Sequence, residues 1–237
     1  MLALAFNPDD RHAQHMHQIF LLVHIAGGVA ALVAAGGALG TRKGRRGHAL
    51  WGRAFALGML VVFLTTLLMM FTRPNLFLLC VAVFSFYLVL TGWLRARNRS
   101  GAPCRTDWIA AATMIVTAIA MVVWGMIAVG SGNSMGIVLI AFGGIGGGSA
   151  IADLIALRGN RYRGSARIAA HLGRMLGGTI AAVTAFTVVN VRIEPAFVVW
   201  LAPTVVLAPV IAYWTARVRG GRVSTPATVA DSHSRQL

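Results

Sequence analysis

Seven stretches of about 20 predominantly apolar residues, separated by short polar loops, constrain this chain more than any other feature. In hydrocarbon every backbone N–H and C=O must find its partner inside the spanning segment. A helix of about 20 residues achieves that while crossing about 30 Å. The stretches cover residues 18–39, 54–72, 76–94, 108–130, 134–157, 168–191 and 196–218. The expected fold is therefore all-α, an integral membrane bundle of seven transmembrane helices forming one domain over 18–218. Residues 1–17 read as a short external lead without a basic-flanked apolar leader. Residues 219–237 read as a polar, disordered cytoplasmic tail.

Composition serves to exclude alternatives. Only 11% of residues are charged, against about 25% in a soluble domain. A formal net charge of +15 would suggest nucleic acid in a soluble protein. Here the basic residues sit in short loops beside apolar stretches, so no nucleic-acid partner is expected. Attraction to anionic lipids and the positive-inside rule account for them. Residues 41–53 hold five Arg/Lys, and 95–107, 158–167 and the chain from Arg217 hold four each. The alternate segments hold only Arg11, Arg73 and Arg192. This asymmetry predicts an external N-terminus and a cytoplasmic C-terminus in a bacterial inner membrane. The bilayer is the expected partner, with anionic lipids at the basic loops; homo-oligomerisation stays open. Trp51, Trp93, Trp108, Trp200 and Trp214 fall near stretch ends, where indoles anchor at the interface.

Polar groups at membrane depth are the candidate site. An ionisable side chain there is costly unless paired, so it points to function. His48 and Arg53 enter the second stretch from the cytoplasmic side, Asp153 ends the fifth, and His171 with Arg174 begin the sixth. The functional expectation is a site in the cytoplasmic half. In it Asp153 pairs with Arg174 as an ion pair or relay, and His48, His171, Arg53 and Arg174 hold a cofactor. The competing expectation is that each is interfacial, with the arginines snorkelling to headgroups and His48 solvated in a basic loop.

On the external side, His17 and His24 lie seven residues apart on one helix face, an expected second site. With His12 and His15 they offer imidazoles suited to copper or zinc, though a solvated histidine-rich lead explains the same residues. His24 alone is also explained by a hydrogen bond to a neighbouring helix.

Gly173, Gly177, Ala181 and Ala185 recur every fourth residue, and are expected to form one small-residue groove for a helix or a flat ligand. The glycine-rich segment 143–148 lacks the phosphate-loop pattern and sits inside an apolar stretch, which favours close helix packing. Cys80 and Cys104 form no disulfide framework or metal knot. The only lysine, Lys43, lies in a loop, which excludes an intramembrane retinal Schiff base; HExxH is absent.

His24-Ile-Ala-Gly-Gly, Lys43-Gly with His48 and Gly52-Arg53, and His171-Leu-Gly-Arg174-Met175 with 184–190 resemble uncharacterised bacterial multi-pass membrane proteins with histidines at helix ends. That resemblance implies a multi-helix fold and brings no activity. A looser likeness to b-type cytochromes rests on histidines entering helices, and implies haem b at the inner side at most. Three functions follow as expectations: a redox protein holding haem b, a transporter or proton-coupled channel relaying through Asp153, His171 and Arg174, and a non-catalytic assembly or sensory protein. Whether the chain is an enzyme is left open.

Overall fold

The computed structural model describes residues 8–220. They form seven helices: α1 Pro8–Gly40, α2 Arg46–Met69, α3 Leu76–Arg97, α4 Arg105–Gly130, α5 Gly136–Arg158, α6 Gly164–Asn190 and α7 Phe197–Arg219. All seven are long and apolar enough to cross a membrane, and no strand occurs among the described residues. The chain is a multi-pass membrane protein whose outer faces contact lipid.

The helix ends differ from the hydropathy boundaries. α1 begins at Pro8, so residues 8–17 of the expected lead are already helical and carry His12, His15 and His17 in register. α2 begins at Arg46, which places His48 in its first turn rather than in the basic loop. The tail beyond Gly220 lies outside the described residues.

Three sequential hairpins, α1–α2, α4–α5 and α6–α7, pack around α3, which touches α2, α4, α5 and α6. Two apolar clusters fill the interior. Phe84, Met114, Met121 and Phe142 lie between α3, α4 and α5. Phe55, Met59 and Val89 meet the small residues Ala31, Ala34, Ala35 and Ala182 between α1, α2, α3 and α6. Lipid supplies no hydrophobic drive between helices, so close backbone approach does the work. A Cβ on Gly58 would lie 2.9 Å from Gly27 O, and one on Gly125 would lie 2.7 Å from Gly136 O. The α5 glycine run packs on alternate sides: a Cβ on Gly146 would meet Met114 Cε at 2.5 Å, whereas Gly144 and Gly148 face open space.

The expected groove on α6 does not form as one face. Gly173 faces Thr215 of α7, and Gly177 faces Leu88 of α3. Four residues advance a helix by about 400°, so an every-fourth row drifts about 40° per step. The tight position is Gly178, where a Cβ would overlap Val89.

Candidate functional site

The loops after α1, α3 and α5, and the C-terminus of α7, lie at one end of the bundle, here the basic end. Gly92 sets the geometry there. A Cβ at Gly92 would lie 3.0 Å from both Arg174 Cβ and the Met175 side chain, so its absence lets α6 lie close against α3. His171 then reaches Gly92 O with Nδ1 at 2.9 Å. On α2, His48 Nδ1 lies 3.0 Å from Ala38 O of α1. A carbonyl only accepts, so Nδ1 donates in both rings. The two rings, from different helices, stand 6.4 Å apart between centroids with planes at 89°.

Beside them is a buried ion pair. Arg174 Nη2 donates to Asp153 Oδ1 at 2.9 Å and to Ser149 O at 2.8 Å. The hydroxyls of Tyr87 and Tyr162 donate to the two Asp153 oxygens, so the carboxylate accepts from three groups. The Arg174 guanidinium also lies 5.6 Å from the Tyr87 ring centre. Tyr162 is in the loop between α5 and α6. Burial first, then the adjacent Asp153 carboxylate, raises its phenol pKa above the ordinary value.

A second pair touches the first through Tyr162. Arg95 stacks on that ring at 4.4 Å and donates through Nη2 to Asp107 Oδ1. Asp107 Oδ2 accepts from Cys104 N at 2.9 Å and Cys104 Sγ at 3.2 Å, which caps α4. Arg167 Nη1 donates to Arg95 O at 2.8 Å. Arg95, Asp107 and Asp153 are buried, with Arg95 only 3% exposed, and Arg174 is half-buried. Two arginines and two aspartates make the network neutral, which is what an interior in low dielectric requires.

The structure therefore brings His48 and His171 together, and Asp153 and Arg174 together. Arg174 is engaged with Asp153 and Ser149, so the geometry opposes its expected role toward a cofactor. Arg53 joins neither group; it lines a separate cavity with Trp93 and Arg97. His17 and His24 do not converge. His24 Nδ1 lies 3.0 Å from Thr65 Oγ1 of α2, and His17 Nδ1 lies 2.9 Å from Thr72 Oγ1 in the turn after α2. Each threonine already donates its own proton to a helix carbonyl, so the histidines donate and tie α1 to α2 and to the turn that follows it. No group of three His, Cys, Asp or Glu that could hold a metal occurs among the described residues.

Sequence reasoning missed Tyr87, Tyr162, Arg95 and Asp107. The signal was faint but present. The chain has only three tyrosines, and Asp107 is one of only six acidic residues.

This geometry defines a seven-helix integral membrane protein with a compensated polar interior at its basic end. Comparison with family models, with curated proteins and with solved structures gives no match.

Proposed function

We propose that this protein is a membrane redox carrier in which His48 and His171 would hold one b-type haem. The histidine pair carries the reading. The two rings come from different helices, stand 6.4 Å apart between centroids, and each uses Nδ1 on a backbone carbonyl, so the two histidines would be the groups that hold the metal. A protein zinc site takes three or four side-chain ligands; among the described residues no third His, Cys, Asp or Glu joins these two imidazoles, and haem would bring its remaining ligands with it.

Haem supplies one-electron chemistry when bound. The chain's part is orientation. The Nδ1–H bonds to Ala38 O and Gly92 O hold each ring in place. One histidine pair forms, so one haem is held rather than two. The positive-inside asymmetry supports a cytoplasmic position for this site, with the N-terminus outside, in a bacterial inner membrane. The transport reading has less support, since Asp153 and Arg174 neutralise each other and leave no free charge for a carried ion.

The test is a visible spectrum of protein purified from haem-supplemented cells. A Soret band is expected, lost in His48→Ala and in His171→Ala and retained in His24→Ala. A colourless wild type, or a band surviving both substitutions, would overturn the proposal.

A further inference from the structure

At the basic end, α2 and α3 part around a cavity of about 360 Å³ lined by Arg53, Trp93 and Arg97. Deeper in the bilayer the two helices close again where Phe63 and Phe86 stack at 4.5 Å, so the space is a pocket at the helix ends rather than a channel. Arg97 lays its guanidinium 4.5 Å from the centre of the Trp93 ring. That contact occupies the flat face of the group and leaves its N–H edge free. Among the described residues, neither Arg53 nor Arg97 has a carboxylate within ion-pair distance, whereas Arg95 and Arg174 are both paired with aspartates. The pocket therefore presents two uncompensated forks and an indole near the basic ends of α2 and α3.

We infer that this pocket binds the phosphate headgroup of an anionic phospholipid, held by Arg53 and Arg97 with Trp93 against its glycerol and upper acyl carbons. Guanidinium N–H groups match phosphate oxygens in a planar fork, and basic pockets between membrane helices select acidic headgroups in this way. Trp93 sits at the depth indoles prefer. The site is built from a different face of α2 and α3 than the one His48 and His171 use. It does not depend on what those histidines hold.

The experiment places the full chain in nanodiscs of phosphatidylcholine with and without phosphatidylglycerol, and counts retained lipid by native mass spectrometry. Wild type should retain phosphatidylglycerol in preference to phosphatidylcholine. Arg53→Gln and Arg97→Gln should each weaken that retention about tenfold, the scale of a lost charge-assisted hydrogen bond at a partly wet site. Arg105→Gln, which removes the same charge from an exposed position, should change it by less than about twofold. Equal losses in Arg105→Gln would mean diffuse attraction and overturn the site, as would a wild type without preference. Displacement of phosphatidylglycerol by millimolar inorganic phosphate would assign the pocket to a soluble anion instead. Should a Gln variant fail to fold, Arg97→Lys keeps the charge without the fork and should still lose most of the preference; full retention would overturn the inference.

Discussion

Removing one partner of the Asp153–Arg174 pair tests whether this ion pair is an internal strut. The two substitutions should not cost the same. In Asp153→Asn the half-buried Arg174 keeps its charge with only neutral acceptors, Ser149 O at 2.8 Å and the amide oxygen, and two phenols lose their carboxylate. Stranding a charge in this way costs about 3–5 kcal/mol. In Arg174→Gln the carboxylate still accepts from Tyr87 and Tyr162, and two phenolic donors offset part of the loss. About 1–3 kcal/mol is expected, the scale of a lost charge-assisted hydrogen bond. The double variant removes both charges and should cost no more than Asp153→Asn alone, so the coupling energy should be about 1–3 kcal/mol. The assay is reversible unfolding in mixed micelles, repeated at high salt, since a pair only 8–15% exposed should resist screening. Additive losses, or Arg174→Gln costing more than Asp153→Asn, would refute the reasoning.

Three shorter predictions follow from the same geometry. Gly178→Ala should destabilise by about 1–3 kcal/mol through overlap with Val89, and more than Gly177→Ala, whose new methyl meets only the flexible end of Leu88; melting temperatures check the order. The Tyr162 phenol has a pKa raised by folding, so its contribution is fully present below about 10 and is lost as pH climbs through the folded value; unfolding between pH 9 and 11 should show a steeper alkaline loss in wild type than in Tyr162→Phe, by at most ~1.4 kcal/mol per pH unit for one proton. A reporter fused after residue 219 should be active in the cytoplasm, as the basic loops require, and periplasmic activity would reverse the orientation.

The seven spans were legible because apolar length alone identifies them. Their ends were not, because Arg46–Arg53 continues as helix with long basic side chains that hydropathy reads as loop. Asp153 and Arg174 were legible as charges that hydrocarbon would reject singly. Their phenolic partners were not: Tyr87, in an apolar run, reads equally as an interface anchor, Tyr162 reads as one more polar loop residue, and only the packing of α3 and of the α5–α6 loop decides what each meets. Arg95 and Asp107 were counted as loop charges. The turn between α3 and α4 folds them onto one another across 12 residues. The α6 groove failed for a different reason, the helical drift that sends Gly173 to α7 and Gly177 to α3.

The histidine pair and the ion-pair network are linked through one backbone position, and Gly92→Ala tests that link. The added methyl would stand 3.0 Å from Arg174 Cβ and from Met175 Cγ and Sδ, tighter than ordinary packing, and Arg174 Cβ sits too near the α6 backbone to swing away. α6 must therefore yield by a few tenths of an ångström. Two contacts lie in the path of that shift: His171 Nδ1 on Gly92 O and Arg174 on Asp153. Overpacking of this kind costs about 1–3 kcal/mol. Gly148→Ala, on the open side of α5, supplies the comparison, because no atom lies within 4 Å of its new methyl. Gly92→Ala should lower the melting temperature well below that of Gly148→Ala. It should also reduce the coupling energy of the Asp153–Arg174 cycle measured in its background. A Gly92→Ala protein as stable as Gly148→Ala, with that coupling intact, would show that α6 does not depend on the missing Cβ for its place against α3.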